Sequence, residues 1–285
     1  MSILVIGLSL AASLFLLAAG LTLIFGMLGV INFAHGSFYM LGAYLAFQMI
    51  EASGSFWVAL LLAPVIGGVV GAVIELAALR PVYGREHHNQ MLLTFGVILV
   101  LEEAVRAVWG LDYKEVGPPA LLAGPTQLLG ATVSTYRLFL IGFATAVAAA
   151  LFVVLEKTRV GVIVRAASSD PEMVRGLGID VNRVRTGVFA FGTALAALGG
   201  AVTAPLYPVE LGMGFSVIID CFIVIIIGGL GSIRGAVVAS LLLGLVRAAG
   251  YAAAPEWVDF VSYTLLILVL LTRPQGLFGR QLRVA

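Results

Sequence analysis

Nine apolar stretches recur from one end of this chain to the other, and each approaches the length needed to cross hydrocarbon as a helix. They run over Ile3–Phe25, Phe33–Ile50, Phe56–Leu79, Met91–Trp109, Tyr136–Leu155, Thr186–Leu206, Val217–Gly229, Gly235–Tyr251 and Phe260–Thr272. The chain is 61% hydrophobic and only 11% charged, outside the range of soluble domains, and nothing is left over for one. The expected fold class is an all-α polytopic membrane protein. It has about eight to nine spans in one transmembrane domain over residues 1–285. The second and seventh runs are short and broken by glycine, which predicts discontinuous or re-entrant segments.

One long polar interval interrupts this pattern, from Lys157 to Arg185, and six of the sixteen basic residues lie in it. Within it Arg165-Ala-Ala-Ser-Ser-Asp170-Pro171-Glu172 reads as a helix start. Asp170 can cap the first free N–H groups, Pro171 fits the first helical position, and Glu172 suits the positive end of the dipole. Gly176 and Gly178 should end that helix after roughly two turns. An ordinary solvated loop and a docked lever both fit these residues. If this interval is cytoplasmic, so are Arg80, Arg85, Arg234, Arg273, Arg280 and Arg283, which places 12 of 16 basic residues inside. The N-terminus is then outside and the C-terminus inside, with Gly110–Thr135 an external loop. No basic residue precedes Arg80, so the first run reads as a retained span.

An internal repeat appears at an offset of 202 residues. Ile24, Gly26, Leu28, Gly29, Ile31, Ala34, Leu41 and Gly42 recur as Ile226, Gly228, Leu230, Gly231, Ile233, Ala236, Leu243 and Gly244. The shared Gly-x-Leu-Gly-x-Ile falls where both apolar runs are interrupted, and paired interruptions point to a transport pathway. Beside the first lie Asn32, His35 and Ser37; the second holds Gly229, Gly231 and Ser232. Two readings stay open at each. The polar groups and glycines either contact a passing small polar solute, or satisfy freed backbone groups and allow close helix packing.

The remaining ionisable residues are expected to be structural. Glu102 and Arg106, four apart, can pair on one helix face. Asp220 and Glu75 lie near helix ends and can reach the interface. Three histidines, two of them adjacent, make a histidine-held metal site untenable. The single Cys221 reads as packing. With two lysines and no Gly-x-x-x-x-Gly-Lys-Ser/Thr motif, the chain carries no phosphate-binding loop, so any ATP must be hydrolysed by another subunit. A net charge of +1 implies no attraction to nucleic acid.

These stretches resemble a known family. Gly26-Met-Leu-Gly-Val-Ile-Asn-Phe-Ala-His-Gly-Ser-Phe-Tyr-Met-Leu-Gly-Ala-Tyr44 is similar to the Gly-x-x-Asn-Phe-Ala-His-Gly signature of branched-chain amino acid ABC transporter permeases of the LivH type. Ile226–Ala236 and Arg273–Gly279 look like two further blocks, and Arg165–Gly178 resembles the family's cytoplasmic coupling loop. The resemblance implies the permease subunit of a bacterial inner-membrane importer, without enzymatic activity or cofactor of its own. Its implied partners are a second, LivM-like permease, two cytoplasmic ATPases that bind ATP and Mg, a periplasmic solute-binding protein, and membrane lipid. It also implies a pathway at Gly29, Asn32, His35, Ser37, Gly229, Gly231 and Ser232. ATPase coupling falls to Arg165, Ala167, Asp170, Pro171, Glu172, Gly176 and Gly178. The chain departs from the pattern at Arg234, where a neutral residue is expected, and at Ser37, where relatives often carry Glu. Relatives of this architecture also move urea, short amides and aromatic acids. An ion-coupled secondary transporter would need a deep coupling carboxylate, and a membrane enzyme would need a nucleophile–base pair; neither is evident.

Overall fold

A computed structural model describes residues 1–128 and 130–279. Eleven α-helices follow one another: α1 Ser2–Leu28, α2 His35–Ser53, α3 Phe56–Ile74, α4 His87–Trp109, α5 Thr135–Lys157, α6 Arg159–Ser169, α7 Pro171–Gly176, α8 Val181–Thr203, α9 Met213–Gly228, α10 Ile233–Ala253 and α11 Val258–Thr272. Six are apolar and long enough to cross a membrane: α1, α3 with its continuation to Val82, α5, α8, α10, and α11 with Pro255–Trp257. All nine expected runs are helical. Arg280 and Arg283 lie outside the described residues.

The bundle is built on two antiparallel helices, α1 and α8. From Ala11 to Ile24 α1 is buried on nearly every side, as an apolar helix without a polar face must be. Small residues set how closely its neighbours come. A Cβ on Gly20 would collide with the Gly192 carbonyl of α8, and one on Gly244 of α10 would meet the Ala11 backbone nitrogen at 2.5 Å. Across α8, Gly67 of α3 faces Ala197, while Gly42 of α2 lies against the Ala197 carbonyl and Gly200 against that of Tyr39. Lipid tails are as apolar as leucine, so association in a bilayer depends on such close packing and on hydrogen bonds. The bonds are present: Tyr39 Oη to Thr203 Oγ1, the Tyr136 hydroxyl to the Val202 carbonyl at 2.6 Å, and Arg137 to Ser9 Oγ at 2.7 Å.

Two stretches hold more regular structure than the sequence predicts. Gly110–Thr135 contains an antiparallel hairpin, β1 Pro125–Leu128 with β2 Ala131–Ser134, in the register Pro125↔Ser134 to Leu128↔Ala131. Gly130 in its turn sits at φ 80°, as glycine readily does. A bridge between Lys114 and Val209 ties this loop to the segment after α8. In the polar interval, α7 is preceded by a second helix, α6, whose Val160, Ile163, Val164 and Ala167 recur at helical spacing.

Gly42→Ala and Gly200→Ala should each lower stability in detergent by about 1–3 kcal/mol, because the added methyl has only backbone to displace. Gly96→Ala in α4, whose Cβ meets nothing within 4 Å, should be neutral or stabilising by about 0.5–1 kcal/mol. Thermal unfolding followed by circular dichroism distinguishes these outcomes.

Candidate functional site

At the first break α1 ends on Gly29, which adopts φ 66° and returns its N–H to the Phe25 carbonyl at 2.9 Å. Six residues later α2 begins beside the middle of α1, where His35 Nε2 donates to the Leu17 carbonyl at 3.0 Å. Asn32 Oδ1 accepts the Ala34 N–H at 3.1 Å, and Phe33 donates its N–H to Thr94 Oγ1 of α4 at 3.4 Å. Asn32 and His35 are both 0% exposed, yet each leaves one polar atom without a protein partner, Asn32 Nδ2 and His35 Nδ1. Serving the backbone therefore accounts for only half of each side chain. An unpaired buried group costs about 1–3 kcal/mol. Because Nε2 must carry the hydrogen given to Leu17, Nδ1 of the neutral ring is an acceptor. The break thus offers one donor and one acceptor. Ser37, also buried, lies in the first turn of α2. Next to it Gly36 packs against the Gly214 carbonyl, so the N-terminal turns of α2 and α9 meet backbone to backbone.

The second break is satisfied differently. Gly229 and Gly231 adopt φ 99° and 78°, and Ser232 Oγ caps α10 by accepting the Gly235 N–H at 3.1 Å. The carbonyls left free at the end of α9 are met by the C-terminal segment. Leu277 donates to the Ile227 carbonyl at 2.8 Å and Phe278 to that of Gly228 at 3.0 Å. Gly229 lies against Gly276 and Gly279, where side chains would not fit. The two breaks approach each other at Gly26 and Gly231. Arg234 turns toward α5, bonding Glu156 at 3.3 Å and stacking on Phe152 at 5.3 Å.

The polar interval forms the other half of the site. The Arg165 guanidinium bonds the Leu155 carbonyl at the end of α5, and Ala167 is buried. Asp170 Oδ1 accepts the Met173 N–H at 2.9 Å, with Pro171 and Glu172 in the first turn of α7 as the sequence predicts. The helix ends at Gly176, and Gly178 takes φ 81°. Asp180 then caps α8 through the N–H groups of Asn182 and Arg183 at 3.0 and 3.3 Å.

The first turn of α8 is fastened to α3. Glu75 begins a π turn over Glu75–Leu79, just before Pro81, and its carboxylate accepts the Thr186 hydroxyl at 2.7 Å and Arg80 Nη2 at 3.3 Å. Arg80 also reaches Thr186 Oγ1, and the Arg185 guanidinium lies over the Tyr83 ring at 5.4 Å. Glu75 is 0% exposed, so the expectation that it reaches the interface is corrected: its carboxylate is engaged by the half-buried Arg80 and Thr186.

Two further expectations change. Arg106 pairs with Glu103, 2.9 Å away, and not with Glu102; Glu103 shares its exposed strip while Glu102 is half-buried. Asp220, expected only to lie near a helix end, is clasped by Arg247 of α10, with Nη2 to Oδ1 at 2.6 Å and a second bond from Nη1. Arg247 also bonds Ser262 Oγ at 3.2 Å and Asp259 at 3.4 Å, joining α9, α10 and α11. Arg247 was not singled out from the sequence. A lone arginine within an apolar run was the signal, since such charges are paired.

With this geometry in place, comparison with protein families matches residues 3–270 to the branched-chain amino acid transport system / permease component. The chain belongs to this permease family. The LivH permease protein of Salmonella typhimurium, described as part of a high-affinity branched-chain amino acid transport system, is 32% identical over 96% of this chain and 94% of its own length. BraD of Pseudomonas aeruginosa, with a corresponding description, is 33% identical over 97% and 95%. A probable LivM permease protein of Methanocaldococcus jannaschii is 25% identical over 90% and 78%. No solved structure matches the chain.

Asp220→Asn should leave Arg247 with the exposed Asp259 as its one carboxylate partner, costing up to the ~3–5 kcal/mol lost when one partner of a buried pair is removed. Asp220→Asn combined with Arg247→Gln should recover most of that loss. Chemical unfolding of the single and double variants in micelles measures the coupling.

Proposed function

We propose that this chain is the membrane-spanning permease subunit that passes branched-chain amino acids across a bacterial inner membrane, driven by ATP hydrolysed with Mg on two partner ATPases. The observation that carries the route is the buried, unpartnered pair Asn32 Nδ2 and His35 Nδ1 at the first helix break. A small zwitterion has both donors and acceptors to offer such groups. In this reading Gly29, Asn32, His35 and Ser37 line the route, and Gly229, Gly231 and Ser232 fix the break beside it. A second, LivM-like permease completes the walls, and a periplasmic binding protein selects and delivers the solute. The segment from Arg165 to Gly178 docks on an ATPase, with Ala167, Asp170, Pro171, Glu172 and Gly176 shaping its rigid core. The fastening of Thr186 to Glu75 would hand its displacement to α3. The polar interval is cytoplasmic and the N-terminus external.

The experiment is leucine uptake in proteoliposomes that hold the full complex, with ATP hydrolysis and complex recovery measured alongside. Asn32→Leu should cut uptake about tenfold or more, the scale of losing a ~1–3 kcal/mol polar contact, while basal hydrolysis and assembly survive. Normal uptake by this variant would remove the break from the route. Asp170→Ala with Glu172→Ala, which weakens α7 by about 0.5–2 kcal/mol, should lower solute-stimulated hydrolysis without reducing insertion. Unchanged coupling would show that the contact lies elsewhere.

Orientation has its own test. Single cysteines at Ser134 and Ser168 in a Cys221→Ala background should react with an impermeant reagent from opposite sides, Ser134 from outside.

A further inference from the structure

Between α5, α6 and α8 the bundle leaves an apolar groove of about 510 Å³, within the ~300–1,000 Å³ of pockets that hold small organic ligands. Leu23 of α1, Leu155 of α5, Val160 and Val164 of α6, and Val188 and Phe191 of α8 line it. Its floor is opened by Gly187. A Cβ there would meet nothing within 4 Å, so close helix packing does not account for this glycine as it does for Gly192 and Gly200. Two residues of its lining, Val154 of α5 and Phe191 of α8, are 37% and 47% exposed. The lining is hydrocarbon-like and its surroundings are those of a bilayer-facing helix.

A basic corner adjoins the groove. Leu155 and Val160 line it, and in the corner that joins these two residues Lys157 and Arg159 are exposed. The acidic residue of that corner, Glu156, is engaged by Arg234, whereas neither Lys157 nor Arg159 enters an ion pair among the described residues. An apolar slot beside two uncompensated cations has the complementarity of an anionic amphiphile. A folded soluble partner would have to place a bare hydrocarbon segment beside its own acidic group. We infer that the groove binds an anionic phospholipid, one acyl chain lying over Gly187 and the phosphate held by Lys157 and Arg159. This requires only that the chain sits in a bilayer, and is independent of the assembly proposed above.

The test is native mass spectrometry of the full chain released from micelles containing equal dioleoyl-phosphatidylglycerol and dioleoyl-phosphatidylcholine. One phosphatidylglycerol should be retained per chain in preference to phosphatidylcholine. Lys157→Ala with Arg159→Ala, both exposed and so harmless to folding, should reduce that preference about tenfold or more. Gly187→Leu should displace both lipids while the thermal midpoint stays unchanged. Glycerol phosphate should not compete, because it lacks the chain. Equal retention of the two lipids by the unaltered protein would overturn the inference, as would an undiminished preference in the basic double variant. Competition by glycerol phosphate would reduce the site to a phosphate contact and overturn it too, and retention of a polypeptide in place of lipid would assign the groove to a protein partner.

Discussion

A helix that ends inside a membrane bundle leaves backbone groups that no water can reach, and each unsatisfied group costs several kcal/mol. Two interruptions in this protein face that constraint, and both are met from far away in the chain. At the end of α9 the carbonyls of Ile227 and Gly228 receive the N–H groups of Leu277 and Phe278. Between α1 and α2, Asn32 serves the Ala34 N–H, Thr94 serves Phe33, and His35 reaches Leu17. The glycines follow from the same requirement. Where a chain segment must approach another closely enough to bond its backbone, as Gly229 approaches Gly276, a side chain has no room.

The two solutions differ in what they leave over. The second break is closed by backbone groups and by Ser232, whereas the first keeps Asn32 Nδ2 and His35 Nδ1 buried and unmatched. A bundle that only needed to close both breaks could have used backbone or hydroxyl groups at each. The loop end connects to this place through α8. Asp170 caps α7, Asp180 caps α8, and Gly192 lies beside Gly20, against which the His35 ring also packs. From Val181 to the level of His35 the path is thus a single helix, which Thr186 and Glu75 tie sideways to α3.

Much of this was legible in the residues. Every apolar run became a helix, and Asp170-Pro171-Glu172 opened α7 because capping, a fixed proline φ and the dipole all act within one turn. The doubled Gly-x-Leu-Gly-x-Ile marked both breaks, and Gly29 and Gly231 share left-handed conformations. What could not be read was partnership across the sequence. Glu75 and Thr186 are 111 residues apart, and Leu277 and Ile227 are 50 apart; nothing local in either announces the other. The α6 helix was readable from the spacing of Val160, Ile163, Val164 and Ala167, but six nearby cations dominated the interval. Glu103 took Arg106 from Glu102 because both lie one helical turn away, and only burial decides between them.

The distribution of ion pairs completes the physical account. Small residues can hold α2, α3 and α10 against the α1–α8 pair, since each presents glycine or alanine where the axes come closest. The three-helix group α9, α10 and α11 is held in addition by charge, with Arg247 reaching two carboxylates and a hydroxyl. Hydrocarbon makes an unpaired charge costly, so the clasp specifies its geometry: if α9 moves by one turn, Asp220 loses its partner and Arg247 keeps only Ser262 and the exposed Asp259. The Glu75–Arg80–Thr186 cluster applies the same rule at the loop end, but beside a π turn, where the helical ladder is already irregular. The two ionic clusters thus fasten different helices, α3 to α8 at the loop end and α9 to α10 and α11 through Arg247.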